Sequence, residues 1–437
     1  MRRTDVLIIG GGQAGLAMSR CLQDERIDHV VLERGRVAER WRSERWASLR
    51  LLTPNWQSRL PGYRYQGPDP DGFMTMPEVI GFLDGYARSI SAPVEADTGV
   101  VHVSGGEDGF TVVTTRGGWE AANVVVATGF SDQPSVPRLA ERLSGRFRQI
   151  TPSRYRNPDQ LAPGGVLVVG ASASGVQLAE ELQASGRPVT LAVGRHTRLP
   201  RRYRGRDIFW WIDRMGVFDE TIDHVFDAEV SRQQPSLQLV GRPDHRTLGL
   251  PELHALGVRL MGRLVAADAT RVSFDDSLVA TAAAADVKLA RLRRRIDDFI
   301  RTSAADEAVE DAGAFEPSWP LAMDTPASTI DLGAEGIATV MWATGFRRSY
   351  SWLKIPVLDA DGEIVQTGGV TPVEGLYALG LHFQRRRKSA FIDGVGDDAK
   401  ELAGLIARRL GAGRGPEADA HDEALTQAGG FSPGTRT

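Results

Sequence analysis

The chain predicts an α/β fold with two Rossmann-like dinucleotide-binding units. Two glycine-rich turns, Gly10-Gly-Gly-Gln-Ala-Gly15 and Gly170-Ala-Ser-Ala-Ser-Gly175, lie 160 residues apart, and each follows an apolar run and opens an amphipathic stretch. A strand ending in Ala-Thr-Gly also recurs, at Ala127-Thr128-Gly129 and at Ala343-Thr344-Gly345, about where one unit would hand over to the other. Strands, turns and helices alternating in this way belong to a parallel sheet covered by helices.

In the first unit, Asp5-Val-Leu-Ile-Ile9 has the length and branching of a buried strand, and Ala14, Ala17, Met18, Cys21 and Leu22 follow at helical spacing. Glycines suit the turn between them, since the chain must bend sharply, let backbone approach a diphosphate and pack the helix close to the strand. Gly10, Gly12, Gln13, Ala14 and Gly15 are therefore candidate nucleotide contacts, at a helix N-terminus that offers NH groups to phosphate. The next strand, His29-Val-Val-Leu32, ends in Glu33, 18 residues beyond Gly15, close to the offset expected of a ribose-binding acid. Arg34 follows it.

The second unit departs from the pattern at Ser172, which stands in place of the middle glycine, while Gly170, Ser174 and Gly175 keep the turn small. Its strand is Gly165-Val-Leu-Val-Val169, and its helix buries Val176, Leu178, Ala179 and Leu182. After the strand Pro188 to Val193 comes Gly194-Arg195-His196-Thr197-Arg198, where cations replace the acid. Arginine grips a ribose 2'-phosphate where a carboxylate would repel it, so Arg195 and Arg198 favour NADPH over NADH.

Composition narrows the class. The 437 residues suit two or three domains, and 42% hydrophobic residues supply their cores. A formal charge of −4 is near balance and argues against nucleic acid, leaving Arg291-Leu-Arg-Arg-Arg295 and Arg385-Arg-Arg-Lys388 as solvated faces or phosphate contacts. Cys21 is the one cysteine, so neither a disulfide within the chain nor a paired redox cysteine exists. With no signal pattern and no apolar run of membrane-spanning length, a soluble, cytoplasmic protein is expected. The histidines His29, His102, His196, His224, His245, His254 and His382 occur singly, no acid–base or metal-ligating constellation stands out, and the catalytic residues stay unassigned.

These turns and Ala-Thr-Gly strands resemble the two-dinucleotide-binding flavoproteins, and within them the NADPH-dependent flavin-containing monooxygenases, the group of the N-hydroxylating and Baeyer–Villiger enzymes. The resemblance spans roughly residues 4–410 and implies FAD at the first turn and NADPH at the second. It implies a discontinuous FAD domain, residues 1–145 and 331–411, with an NADPH domain inserted at 146–330 and a mobile tail at 412–437. Gly375-Leu-Tyr-Ala-Leu-Gly380 looks like the last flavin-contacting strand, though Leu381 stands where an aspartate is often found. Asp393-Gly-Val-Gly-Asp397 looks like the turn before a helix facing the flavin. Trp41, Thr53 and Pro54 match a segment that wraps the flavin, and Val100 joins that set. The family's linker histidine is here Thr151, whereas Tyr155, Arg156, Asn157 and Pro158 fit.

The implied activity is oxygenation of a small organic substrate by NADPH and O2 through a flavin peroxide, with no membrane or nucleic-acid partner and with room for a homodimer. Two alternatives stay open. One is an NADPH-dependent flavin reductase serving a carrier protein or quinone, with Arg385 to Lys388 as a docking surface. The other is a flavin-binding module without turnover. Substrate selection is expected in the insertion at about 201–320, where Phe209, Trp210 and Trp211 cluster and a helix from about Leu278 to Asp311 uses Val287, Ala290, Leu292, Ile296 and Phe299 as its apolar positions. Phe383, Gln384, Arg385 and Phe391 are candidates to approach the substrate.

Overall fold

The computed structural model describes residues 1–106, 108–232, 234–303, 309–311 and 328–413. In chain order the elements that position the site are β1 (Arg2–Ile9), α1 (Gln13–Asp24), β2 (His29–Leu32), β3 (Gly117–Val126), β4 (Gly165–Val169), α2 (Ala173–Ala184), β5 (Val189–Ala192), β6 (Thr197–Arg198), α3 (Leu278–Ser303), β7 (Ile337–Trp342), β8 (Leu376–Ala378) and α4 (Val395–Gly413).

The first sheet has seven strands. β1 lies parallel between β2 and β3, in register from Val6 opposite His29 and from Arg2 opposite Trp119. The long β3 does two jobs: its first half closes an antiparallel hairpin with Gly109–Thr114, and its second half takes β8 in parallel, Leu376 opposite Val124. A late chain segment thus completes an early sheet. Continuous branched runs such as Val6-Leu-Ile-Ile9 suit strands covered on both faces. Helices α1 and α4 bury Leu16, Met18, Leu402 and Ile406 on one side of it.

The second sheet is parallel throughout, in the order Arg148–Ile150, β7, β4, β5, Arg259–Met261. Here the structure corrects a boundary. Residues 337–342 were expected in the second segment of the first domain, but β7 pairs with β4 from Gly165 to Val169, because its run Ile337-Ala-Thr-Val-Met-Trp342 fills the slot beside the second turn. The chain returns to the first sheet only at β8.

Two connections join the sheets side by side. Gln133–Pro134 pairs antiparallel with Phe346–Arg347, and the Ser135 amide donates to the Gly345 carbonyl at 2.9 Å. Thr344 adds a hydroxyl bond to the Ser135 carbonyl at 2.6 Å.

The insertion helix α3 is corrected in extent and phase. It ends at Ser303, and the part of the expected helix beyond it lies partly outside the described residues. Its buried positions are Leu278, Ala282, Ala285, Leu289 and Ile296, whereas Val287 is exposed and Ala290, Leu292 and Phe299 are half-buried. The seam follows leucine and alanine at i, i+4, i+7 and i+11, and Val287, two residues from both Ala285 and Leu289, falls on the opposite face.

Candidate functional site

The two turns are built alike. Gly10 and Gly170 adopt φ of +117° and +109°, conformations that L side chains rarely take. Their amides bond to Leu32 and Ala192 at 2.8 and 3.0 Å. A Cβ on Gly10 would strike the Ala127 carbonyl, and one on Gly170 the Ala343 carbonyl. Ala127 and Ala343 in turn donate to Ile9 and Val169, both at 2.9 Å. The recurrent Ala-Thr-Gly is therefore the wall against which each turn closes. Gly15 and Gly175 have a different duty: a Cβ on either would run into the carbonyl of Gly10 or Gly170, so they bring each helix onto its strand.

Gly12 is the exception among these glycines. At φ −89° nothing lies within 4 Å of a Cβ built on it, and it borders a cavity of about 1100 Å³. At the N-terminus of α1, where helix amides and the positive end of the helix dipole favour an anion, this cavity has room for a diphosphate. Gly10, Gly12, Gln13, Ala14, Glu33, Arg34, Trp41, Thr53, Val100, Ala127, Thr128, Gly129 and Gly380 all line this cavity. Glu33 accepts the Gly11 amide at 2.7 Å and the Gly35 amide at 3.0 Å, which fixes its carboxylate at the end of β2. Gly380, at φ +82°, lets the end of the β8 segment lie against Ala14. These residues fit a flavin dinucleotide.

Other assigned residues lie elsewhere. Pro54 is buried and starts a short turn, outside the cavity lining. Asp393 is likewise outside it, because Arg59 grips its carboxylate at 2.5 and 2.8 Å, while its neighbour Ile392 does reach the cavity. Gly170, Ser172, Ser174, Gly175, Ala343, Thr344 and Gly345 sit together at the second turn but do not border the cavity. Across that turn lies the chain's own segment: Gln238 donates to the Ala171 carbonyl at 2.5 Å and Gln177 to Leu239 at 3.0 Å. Arg195 is exposed and outside the lining. Arg198 does line it, held by Asp286 of α3 at 2.8 Å.

The cavity widens into an apolar chamber. Phe209, Phe218 and Phe391 stack edge to face at 5.4 and 5.6 Å, with Ile212 and Leu199 beside them. Of the expected aromatic cluster only Phe209 enters the lining; Trp211 is fully buried with its indole NH on the Tyr203 carbonyl at 2.7 Å, and Trp210 packs on it at right angles. Phe383 is at φ +45°, a rare conformation for an aromatic residue, with the Arg387 guanidinium 4.9 Å from its ring centroid. Gln384 and Arg385 turn away, Gln384 onto the Ala378 carbonyl at 2.8 Å and Arg385 onto Glu401.

Sequence reading missed several lining residues. Arg40 is tied to Asp132 at 2.9 Å, and Arg45, packed on the Trp41 ring, has its pKa lowered to about 10 by burial and by the nearby Arg40 charge. Both lie within four residues of Trp41 along the chain. His382 also lines the cavity, and burial pushes its imidazole below the usual range. Lys288, Arg291 and Arg295 reach the cavity from α3. The basic run Arg385 to Lys388 is half-buried to buried, and its members are engaged by Glu401, Asp398, Glu220 and Asp219 respectively. Thr151, in the place of the linker histidine, bonds Ser153 at 3.1 Å. Among the described residues no His, Cys, Asp and Glu group could hold a metal ion, and no helix is long and apolar enough to cross a membrane.

Known proteins share this arrangement. A family model described as pyridine nucleotide-disulphide oxidoreductase matches residues 7–231. An uncharacterized CzcO-like oxidoreductase of Geobacillus kaustophilus is 35% identical over 402 residues, 91% of this chain and 97% of its own. The indole-3-pyruvate monooxygenase YUCCA4 of Oryza sativa subsp. japonica is 32% identical over 200 residues, 40% of this chain and 44% of its own. Among solved structures, a flavin-containing monooxygenase from Stenotrophomonas maltophilia superposes with a TM-score of 0.63 at 21% identity, covering 94% of this chain and all of the other. The duplicated turns, the family match and the full-length relative together show that the chain belongs to the pyridine nucleotide-disulphide oxidoreductase family, a flavoprotein enzyme whose cofactors are FAD and NADPH.

Proposed function

We propose that the chain is an FAD-dependent monooxygenase that spends NADPH and O2 to oxygenate a small organic substrate. One observation carries this reading. The cavity that contains the first glycine turn is continuous with a chamber walled by Phe209, Phe218, Phe383 and Phe391, so an apolar molecule can lie beside the redox cofactor with water displaced. Bound FAD would accept a hydride and activate O2, which is the cofactor's own chemistry. The protein's part is placement: Gly10, Gly12 and the α1 amides hold the diphosphate, Glu33 the ribose, and Trp41, Leu52 and Thr53 the wall facing the chamber. Arg45, stacked on Trp41, offers a cation at that wall.

The thiol route used by disulphide reductases is closed to this chain. Cys21 stands alone in the sequence and is buried in α1, where desolvation pushes its thiol up to about 12. The partial likeness to an indole-3-pyruvate monooxygenase supports the same reading and makes that 2-oxo acid a rational first probe.

The test incubates FAD-loaded protein with NADPH, 18O2 and a panel containing indole-3-pyruvate, a sulfide and a cyclic ketone. One labelled oxygen in product per NADPH consumed supports the proposal. NADPH oxidation with hydrogen peroxide or reduced quinone as the sole acceptor product would replace it with the reductase reading. Tight FAD with no NADPH oxidation would replace it with a non-catalytic module.

A further inference from the structure

We infer that the cationic stripe Lys288, Arg291 and Arg295 of the insertion helix reads the ribose 2'-phosphate of NADPH. This rests on the nicotinamide-nucleotide reading above and assigns that nucleotide's selectivity to a different element from the loop after β5.

The helix is seated where such a reader belongs. Leu278 and Ala282 pack into the core of the second unit, with Val176, Leu182 and Leu253, while Ile296 packs into the chamber's core with Leu199 and Phe209. Asp286 clasps Arg198 of β6 at 2.8 Å, and Lys288 lies near enough to His196 to depress its pKa alongside burial. His196 and Arg198 belong to the segment leaving β5, the strand end that faces the adenosine ribose in nucleotide folds of this kind. So α3 lies against the ribose end of the second unit.

The orientation of its charges follows from helical spacing. Positions i, i+3 and i+7 fall on one face, and this face borders the cavity, with Leu292 between the cations. The stripe spans about 10 Å at 1.5 Å per residue. Of the other cations of the lining, Arg34 is paired with Glu44, Arg40 with Asp132, Arg198 with Asp286 and Arg387 with Glu220, while Arg45 lies over the Trp41 ring at the flavin-side wall. Among the described residues, Lys288, Arg291 and Arg295 have no carboxylate partner. Three uncompensated cations in a row suit a ligand with several negative charges, and NADPH carries a diphosphate and a phosphomonoester.

A second observation points to the same corner. The Arg198 Nε, Thr197 Oγ1 and Gln238 Oε1 atoms are buried without partners. A Cβ built on Gly249 would lie 3.2 Å from Glu252 Oε2, also buried without a partner, 3.5 Å from Arg198 Nε and 3.6 Å from Gln238 Oε1, so these three groups converge. Buried polar atoms without partners mark a place where a polar ligand completes the bonding. Ribose hydroxyls and phosphate oxygens supply the missing acceptors and donors.

The experiment measures binding of 2',5'-ADP and of 5'-ADP to the FAD-loaded protein by calorimetry, in the wild type, in Arg291→Ala/Arg295→Ala and in Arg291→Lys. The inference expects the wild type to bind 2',5'-ADP the more tightly, the double variant to lose at least tenfold for 2',5'-ADP with less than threefold change for 5'-ADP, and the lysine variant to retain most of the affinity. The salt dependence of 2',5'-ADP binding should flatten in the double variant. Unchanged 2',5'-ADP affinity would overturn the inference, and so would equal loss for both nucleotides, which would assign the cations to the 5'-phosphate that both carry rather than to the 2'-phosphate. A wild type that binds neither nucleotide would instead remove the NADPH reading on which the inference stands. Flavin content and melting temperature of each variant exclude a folding defect.

Discussion

Gly12→Ala is the substitution that separates cofactor binding from folding. Gly12 adopts φ −89° and ψ −169°, which any L residue adopts, and no atom lies within 4 Å of the added methyl. Loss of backbone freedom in the unfolded chain favours alanine by about 0.4–1 kcal/mol, offset by a few tenths at an N-cap, so apoprotein stability should move by less than about 1 kcal/mol. The methyl projects from the cavity wall where a diphosphate would meet the α1 amides. Displacing about two charge-assisted hydrogen bonds, each worth about 1.5–3 kcal/mol, weakens FAD by roughly 10²- to 10⁴-fold. Gly15→Ala makes the contrast, since its methyl would strike the Gly10 carbonyl and overpacking costs about 1–3 kcal/mol in the fold itself. The assay is flavin absorbance per protein after FAD titration, beside thermal melting of the apoprotein. A Gly12→Ala protein that loads FAD with wild-type affinity would refute the diphosphate assignment, and one that melts many degrees lower would refute the claim of open space.

Three further outcomes are expected. Arg195→Ala should weaken NADPH and NADH alike, by less than about threefold, because the α3 stripe and not the loop after β5 reads the 2'-phosphate; a loss at least about tenfold greater for NADPH, measured as Kd by flavin quenching, would return that role to the loop. Burial holds His29, His196 and His382 below the ordinary imidazole value. Below about pH 6.5 the unfolded chain therefore binds protons that the folded chain refuses, and stability should fall between pH 7.5 and 5.5. His29→Asn should flatten that slope in thermal melts, and an unchanged slope would clear His29 of the effect. Cys21→Ala should leave anaerobic flavin reduction by NADPH at its wild-type rate, and a loss of more than tenfold would reopen the thiol route.

Much of the first site was legible because its parts are local. Gly10, Gly12, Gln13, Ala14 and Glu33 are read from a strand, a turn and a helix within some 30 residues, and all five line one cavity. Val100, Ala127 and Gly380 were named from the family resemblance, but other lining residues from distant segments, such as His382 and Lys288, were not. Nothing in the spacing of Arg59 and Asp393 announces a bidentate pair across 334 positions, yet that pair removes Asp393 from the site. Arg385 to Lys388 read as a free basic patch until Asp219, Glu220, Asp398 and Glu401 came into place around it. The membership of β7 was misjudged for a related reason: an apolar run shows that a strand is buried but not which sheet buries it. In α3 only Ile296 of the expected apolar positions is buried, and Leu278, Ala282, Ala285 and Leu289 take the places expected of Val287, Ala290, Leu292 and Phe299, because the helix packs against two different cores.

The paired crossings between the sheets bear on how such a chain can be rearranged. Ser135 and Gly345 stand one hydrogen bond apart, although more than two hundred residues separate them along the chain. The chain's way out at Ser135 and its way back at Gly345 thus share one doorway, the condition under which an intervening segment can be exchanged as a cassette. A graft cut at those two points would leave the flavin-side sheet with a short hairpin in place of half the molecule.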